Sequence, residues 1–181
     1  MTRTFSIAVS LLLMLLLQVS FFPAVLSYSL SPHLILVGVV MWVVLGSDDV
    51  AFAWAFAGGL LLDAFSPDLF GMQTLLLLVS AAVLILIRDG VVSSKSRWLH
   101  VSLSIVGSLI VLLVPLAIRP LMRVFIPEVL VPRYGWVLLA LLFGTFVLNV
   151  LATIVMKPLF TRLTTLFLYV EKRRATKPFG V

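Results

Sequence analysis

Apolar and polar positions alternate in long blocks along this chain. Six stretches are almost wholly apolar, and short polar segments separate them. The apolar stretches cover residues 5–22, 32–46, 50–63, 72–87, 99–122 and 136–156. Because a helix of about 20 apolar residues crosses a bilayer, this pattern predicts an all-α integral membrane protein with six transmembrane helices, several of them short.

The first apolar stretch has two interpretations. It follows Arg3 and precedes small residues around Ala24 and Ser27, as in a cleaved signal peptide. It also fits a first transmembrane helix that has Gln18 near its far end and stops at Pro23. We favour the transmembrane helix and keep the signal peptide as the alternative.

The segment after Pro158 is amphipathic. Apolar residues recur there at helical spacing, and the basic residues Lys172, Arg173 and Arg174 follow. This predicts a C-terminal interfacial helix that binds anionic lipids. The chain therefore divides into a six-helix transmembrane domain, residues 1–157, and a basic amphipathic cytoplasmic tail, residues 158–181.

Composition and charge agree with a membrane protein and predict its orientation. The 181 residues are 62% hydrophobic and 11% charged, with 13 Lys and Arg in total. Six spans leave Arg119, Arg123 and Arg133 on the side away from the termini, so 13 less 3, or 10, share the side of the termini. The positive-inside rule places that side in the cytoplasm. Since the basic residues follow this topology, they do not indicate nucleic-acid binding.

One helix carries a row of small residues that ends in an acid. Ala51, Ala55, Gly59 and Asp63 are spaced four apart, which puts them on one helix face. Small residues at this spacing let membrane helices approach closely, so we call these four residues the packing seam. Asp63 either is solvated at the helix end or is buried and bonded to the next turn or a neighbouring helix, and we favour the buried arrangement.

The turn after the packing seam is predicted to lie below the membrane surface, because the helices on either side of it are short. It contains Pro67, Asp68 and Gly71. Irregular backbone at that depth needs cover from protein or a wet cavity. We therefore expect other protein or a wet cavity to cover this turn.

A second loop is unusually apolar. It runs from Arg119 to Tyr134, and its centre at 124–132 exposes branched and aromatic side chains. The candidate partner-binding residues there are Phe125, Ile126, Val129 and Leu130. We expect this loop to lie outside the cytoplasm and to bind another protein.

Other polar residues are predicted to cap helix ends or to make contacts between helices. Ser31 is a candidate N-cap for the second helix, with Pro32 at its first position. Ser47 and the acids Asp48 and Asp49 are the candidate caps of the third helix, and the helix dipole favours the two acids. Asn149 is the expected polar contact between the sixth helix and its neighbours.

The sequence offers little for catalysis. It has no cysteine, and it lacks a Gly-rich phosphate loop, an HExxH zinc pair and a GxSxG nucleophile elbow. Its two histidines, His33 and His100, are predicted to be half-polar side chains at the membrane interface. We therefore expect a protein that is not an enzyme and has no cofactor or metal.

Three segments carry a resemblance to a known family. They are Ser-Pro-His-Leu-Ile-Leu at 31–36, Gly-Gly-Leu-Leu-Leu-Asp at 58–63, and Gly71. With the six short spans and the basic tail, they resemble the rod shape-determining protein MreD family. The resemblance implies a non-enzymatic scaffold of the bacterial inner membrane that works in lateral peptidoglycan synthesis. Its implied partners are MreC, RodA, a class B penicillin-binding transpeptidase and, indirectly, MreB.

The resemblance also implies a fold similar to the substrate-binding S-component of energy-coupling-factor transporters. A vitamin-binding subunit of such a transporter is therefore the alternative function. It would require an outward cavity lined by polar groups, and the outward loops offer few besides Asp63, Asp68 and Glu128. An intramembrane hydrolase is a third possibility, but the sequence lacks the residues for it.

Overall fold

The computed structural model describes residues 2–25, 31–66, 69–91, 98–125 and 136–175. Within these ranges, only the backbone is described at 2–4, 6, 91, 119–125, 136–138, 159 and 163–175. All the regular structure in these ranges is helical. The helices are α1 (Thr2–Leu16), α2 (Phe22–Val25), α3 (Leu34–Val44), α4 (Asp48–Phe65), α5 (Met72–Val91), α6 (Leu99–Phe125) and α7 (Trp136–Ala175). A π-helical turn, Leu17–Phe21, joins α1 to α2.

Among the described residues, four helical stretches are long and apolar enough to cross a membrane. They are Ile7–Val25, Met72–Gly90, Leu99–Ile118 and Leu139–Arg162. α3 is apolar but has 11 residues, and α4 carries three aspartates among its 18 residues. The described part of the chain is therefore an all-α protein of membrane character, as predicted. The arrangement of six spans stays a prediction.

α3 forms the centre of the helix bundle. Its residues from Leu34 to Val43 are all buried, and α4, α5, α6 and α7 each contact it. The helix is apolar on every side, which suits a position surrounded by other helices. The surrounding helices therefore fix the positions of the polar residues at the two ends of α3.

Two consecutive glycines let α4 approach two neighbours at once. A Cβ atom on Gly58 would lie 2.5 Å from Ile35 Cγ2 of α3, and one on Gly59 would lie 2.4 Å from Thr74 Cα of α5. Because neighbouring helical residues point in different directions, each glycine faces a different helix. The pair sets the spacing of α4 from both α3 and α5.

Hydroxyl and amide groups join α6 and α7 to the rest of the bundle. Ser104 Oγ of α6 lies 2.7 Å from Thr153 Oγ1 of α7. One turn earlier on α7, Asn149 Oδ1 accepts a 2.6 Å hydrogen bond from the backbone N–H of His33. The prediction that Asn149 makes a polar contact between elements is confirmed.

The predicted helix boundary at Pro158 is wrong. α7 continues from Trp136 to Ala175 with Pro158 inside it, so no separate helix begins there. Prolines are tolerated in membrane helices because nearby groups can satisfy the freed backbone atoms. In the following turn Thr161 Oγ1 donates to the carbonyls of Lys157 and Pro158, at 2.8 and 3.1 Å, whereas the carbonyl that Pro158 deprives of an N–H partner is that of Ile154. Whether the end of α7 lies on a membrane surface stays a prediction.

Two further boundaries differ from the sequence prediction. Pro23 does not end the first helix, because it falls in the first turn of α2, where proline is tolerated. The apolar loop begins later than predicted, since α6 runs to Phe125 and makes residues 119–125 helical. Phe125 is therefore the last residue of a helix.

Candidate functional site

Asp63 joins the end of α4 to the start of α5. Its Oδ1 accepts a 2.8 Å hydrogen bond from the backbone N–H of Gln73. Its Oδ2 accepts from the backbone N–H of Thr74 at 3.0 Å and from the Thr74 hydroxyl at 2.6 Å. With 3% of its surface exposed, Asp63 has the buried arrangement of the two considered from the sequence.

These contacts replace an ordinary N-cap. The residue before α5 is Gly71, which has a φ of +93° and no side chain to offer. An N-cap side chain normally accepts from the second or third N–H of its helix, and in α5 those groups belong to Gln73 and Thr74. Asp63 binds both from the preceding helix, where the positive end of the α5 dipole favours its charge.

The packing seam is what brings Asp63 within reach. All four of its residues, Ala51, Ala55, Gly59 and Asp63, are buried. Gly59 touches the Thr74 backbone, so α4 and α5 are already in close contact one turn before Asp63. A larger residue at Gly59 would therefore separate the carboxylate from the N–H groups that it binds.

The start of α3 is held by three other polar groups at the same end of the bundle. His33 is the N-cap, and its Nδ1 accepts a 3.3 Å hydrogen bond from the backbone N–H of Leu36. Gln18 Oε1 accepts from the N–H of Ile35 at 3.0 Å, and Asn149 binds His33 N. The prediction of Ser31 as the N-cap is wrong, because the helix begins two residues later than expected.

The π-helical turn explains how Gln18 reaches α3. Gln18 is the second residue of that turn, Leu17–Phe21. A π turn adds a residue to the helical repeat and so redirects the side chains around it, and such turns recur at functional sites. The sequence signals that could have revealed this end of the bundle are the amide at Gln18 and the histidine directly before an apolar helix.

A cavity of about 170 Å³ lies between these groups. Its polar lining residues are Gln18, Ser31, His33, Ser66 and Gln73, and Leu62 and Phe65 contribute apolar surface. The side chain of Gln73 is within hydrogen-bonding reach of the His33 ring. The sequence prediction missed this cavity because its walls come from four separate segments of the chain.

Arg88 occupies the opposite end of the bundle. Its guanidinium binds both oxygens of Asp48, at 2.5 and 2.9 Å, and donates to the carbonyl of Val43 at 2.9 Å. It therefore ties the end of α5 to the end of α3 and the start of α4. Hydrogen bonding to Arg88 holds the pKa of Asp48 below its ordinary value.

The prediction that Asp48 and Asp49 cap α4 is wrong. Ser47 is the N-cap residue, and it makes no side-chain capping hydrogen bond. Asp48 instead turns to Arg88, whose charge attracts it more strongly than a neutral N–H group does. Asp49 is exposed in the first turn, where its charge still suits the helix dipole.

The His100 side chain is buried. It is 7% exposed, and its Nδ1 lies 3.1 Å from Lys157 Nζ. The sequence did not predict this burial within the bundle, and the position of His100 at the membrane interface stays a prediction. Packing between α6 and α7 buries the ring, and Lys157 supplies a polar partner.

Three aromatic rings pack where α3, α4 and α7 meet. Trp42, Trp54 and Phe160 have ring centroids 5.7 to 6.3 Å apart, a spacing typical of tilted and edge-on aromatic contacts. The indole of Trp54 also covers Gly38, where a Cβ would lie 2.4 Å from Nε1. This cluster joins α7 to the α3–α4 pair.

The remaining predicted site residues fall partly or wholly outside the described residues. Gly71 is described and adopts the positive φ given above. Pro67, Asp68, Ile126, Val129 and Leu130 lie outside the described residues, as do the side chains of Phe125, Lys172, Arg173 and Arg174. Their predicted roles in the turn, in partner binding and in lipid binding stay predictions.

The arrangement at the Asp63 end suits helix packing and hydrogen bonding to a small molecule. In the described part of the chain, no group of three or more His, Cys, Asp or Glu could hold a metal ion. Comparison with the models of protein families, with curated proteins and with solved structures found no match. The function is therefore argued from the residues and their geometry.

Proposed function

We propose that this protein is a non-enzymatic scaffold of the MreD type in the bacterial inner membrane. In this proposal it has six spans and both termini in the cytoplasm, binds an MreC-like protein and supports lateral peptidoglycan synthesis. RodA, a class B penicillin-binding transpeptidase and MreB would be its further partners. The fold proposed for the whole chain is that of an energy-coupling-factor S-component.

One observation carries this proposal. Asp63 is the acid that ends the 58–63 segment, one of those on which the family resemblance rests. Its carboxylate accepts three hydrogen bonds from the start of α5 and so holds α5 against α4. A carboxylate with three fixed protein donors is poorly placed for acid–base catalysis, which needs a free position for a substrate proton. A role in building a rigid helical surface fits such a residue better.

Other polar residues of the described bundle support the same view. Ser104 and Thr153 bind each other, and Asn149 binds the backbone before α3. Arg88 binds Asp48 and the end of α3. Each of these contacts joins separate helices or their ends, which is what a scaffold that presents a fixed surface to partners requires.

The partner surface is proposed at the apolar loop after α6. Phe125 ends that helix, and the sequence continues to Pro132 with residues that are apolar except for Glu128. Proline limits the freedom that such a loop loses on binding. An aromatic residue at the centre of an apolar patch commonly contributes most of the binding energy, so Phe125 is the residue to change first.

The test is co-purification of a tagged MreC-like partner with a double variant, Phe125→Ser and Ile126→Ser. We expect recovery of the partner to fall at least about tenfold, as the loss of one central anchor predicts, while the protein stays in the membrane fraction. The matched control is Leu69→Ser with Phe70→Ser, which removes an exposed aliphatic and aromatic pair elsewhere. Equal recovery from the loop variant and wild type would contradict the proposal.

A second candidate is the vitamin-binding subunit of an energy-coupling-factor transporter. The cavity beside His33 favours it, because five polar side chains line that space. Its volume of about 170 Å³ is below the roughly 300 to 1,000 Å³ of pockets for larger ligands, so we rank the scaffold first. Mass spectrometry of the purified protein would distinguish them, since a stoichiometric vitamin would favour the transporter subunit.

A further inference from the structure

The cavity beside His33 has hydrogen-bonding groups that the helix ends do not use. Gln18 Oε1 is bound to the N–H of Ile35, which leaves the two amide protons of Gln18 as donors. His33 Nδ1 accepts from Leu36, so the proton of the neutral ring is on Nε2, and the Gln73 side chain hydrogen-bonds the ring there, which leaves the Gln73 NH2 group as a further donor. Gln73 bonds to Asp63 through its backbone, and its carboxamide lines the cavity.

The lining does not suit a charged ligand. Its residues are neutral amides, hydroxyls, an imidazole and apolar side chains, and Asp63 is buried with three donors of its own. The first four N–H groups of both α3 and α5 are already hydrogen-bonded, so neither helix offers free donors to an anion. Burying an unpaired charge there would be strongly unfavourable.

The size of the cavity limits a neutral ligand. A water molecule occupies about 30 Å³ in the liquid, so about 170 Å³ corresponds to roughly six such volumes, or about six non-hydrogen atoms. Val19, Pro23, Leu62 and Phe65 add apolar surface to a lining that also contains two amides and an imidazole. The matching ligand has hydroxyl groups on a short carbon chain.

We propose that this cavity binds a neutral polyol group of about the size of glycerol. Hydroxyls would accept from the amide groups of Gln18 and Gln73 and donate to the remaining lone pair of the Gln73 carboxamide oxygen, while carbon–hydrogen surface contacts Phe65. The group could be a free polyol or the terminal glycerol of a lipid head group, because both present the same chemistry. This site does not depend on the proposed binding of an MreC-like partner.

The absence of native cysteine allows a direct test by thiol protection. We would place a single cysteine in the full-length protein at Ser66, in the cavity wall, and measure its rate of modification by methyl methanethiosulfonate in detergent. Glycerol at about ten times its dissociation constant should slow the reaction roughly tenfold, by simple occupancy. A cysteine at Ser102, which is exposed on α6, is the control and should react at an unchanged rate.

A second variant assigns the protection to the cavity. Gln73→Leu in the Ser66→Cys protein removes a polar lining group and keeps the backbone N–H that Asp63 binds. It should abolish protection by glycerol and leave the helical circular dichroism unchanged. Ser31→Cys, in another part of the wall, should show the same protection as Ser66→Cys.

The source of the polyol is tested in nanodiscs. Protection by glycerol in detergent supports a free polyol, and protection only in nanodiscs with phosphatidylglycerol, compared with phosphatidylcholine, supports a lipid head group. Protection in neither setting would overturn the proposal, as would equal slowing at Ser66→Cys and Ser102→Cys. Failure of both wall cysteines to react would also overturn it, because a space that admits glycerol admits this reagent.

Discussion

The Asp63 side chain can be buried because the start of another helix supplies hydrogen-bond donors to its carboxyl group. Two backbone N–H groups and one hydroxyl point at the carboxylate, and hydrogen bonds to charged groups are stronger than those between neutral ones. The same contacts satisfy N–H groups of Gln73 and Thr74 that a glycine N-cap leaves unpaired. The acid and the helix end therefore stabilise each other.

The closest approach between α4 and α5 predicts the effect of one added methyl group. Gly59→Ala would place Cβ 2.4 Å from Thr74 Cα, and because backbone cannot move aside like a side chain, we expect destabilisation by about 1–3 kcal/mol. Thermal or denaturant unfolding in detergent would measure it. Gly90→Ala, where nothing lies within 4 Å of the added Cβ, should be neutral or stabilising, and equal destabilisation of both variants would contradict this account.

At single residues, the sequence predicted positions better than partners. The four-residue spacing predicted that Ala51, Ala55, Gly59 and Asp63 share a face, and all four are buried. The partners of Asp63 were not identifiable, because two of its three donors are backbone N–H groups, which carry no signal in the sequence. His33 was misjudged for a related reason, since its role depends on where the helix begins.

The elements around α3 are held at both ends by charged residues. Asp63 hydrogen-bonds the end of α4 to the start of α5. Arg88 hydrogen-bonds the end of α5 to the end of α3 and the start of α4. From Asp48 to Asp63 the helix rises about 22 Å at about 1.5 Å per residue, so the apolar part between the two acids is shorter than a bilayer core of about 30 Å.

The Arg88–Asp48 contact predicts a dependence of stability on pH. Because the folded protein lowers the pKa of Asp48 from its ordinary 3.8, the pair stabilises the fold above that value and loses its effect as the pH falls below it. The contribution is at most about 1 kcal/mol, since Asp48 is 39% exposed.

Thermal unfolding in detergent at about pH 6 and about pH 3 would measure this dependence around the ordinary carboxyl pKa. Wild type should lose more stability on acidification than Asp48→Asn does. The matched control Asp49→Asn removes the exposed neighbouring carboxylate and should keep the wild-type loss. A loss in Asp48→Asn as large as that in wild type would show that the ion pair does not contribute.

At the level of elements, the apolar pattern predicted the positions of the helices correctly, but the prolines led to wrong predictions of where two helices end. The predicted second span, 32–46, contains α3 at Leu34–Val44, and the fourth, 72–87, begins with α5 at Met72. Rules from water-soluble helices placed ends at Pro23 and Pro158, yet both prolines lie within helices. Proline ends helices because it lacks an N–H and its ring clashes with the preceding turn, but Pro23 lies in the first turn of α2, where neither matters. Within a membrane helix, neighbouring groups can satisfy the carbonyl that a proline such as Pro158 frees.

Across the whole molecule, large apolar side chains are exposed on the outside of the bundle. Phe56 of α4, Leu86 of α5 and Phe143 of α7 are each more than half exposed. Lipid is the medium in which such a surface is stable, since a soluble protein rarely leaves so many apolar side chains uncovered. The outer surface therefore agrees with the membrane character predicted from composition.

The distribution of basic residues predicts the orientation of the molecule. If the chain has the six predicted spans, 10 of its 13 Lys and Arg lie on the side of the termini, and we expect the C terminus in the cytoplasm. A cysteine placed at Thr176 in this cysteine-free chain should react with a membrane-impermeant maleimide after the cells are opened and stay unlabelled in intact spheroplasts. Labelling in intact spheroplasts would show that the C terminus lies outside the cytoplasm and would contradict the predicted orientation.

The central claim is that Asp63 holds α5 against α4 by binding its first N–H groups. The most direct measurement is amide hydrogen exchange at Gln73 and Thr74 by NMR in detergent. In Asp63→Ala we expect these two amides to exchange roughly ten- to a hundredfold faster, because their acceptor is gone. The amides of Ile35 and Leu36, bound to Gln18 and His33, should keep their wild-type rates.

Asp63→Asn should fall between wild type and Asp63→Ala, since an amide side chain keeps one acceptor oxygen. Unchanged exchange at Gln73 and Thr74 in Asp63→Ala would contradict the account.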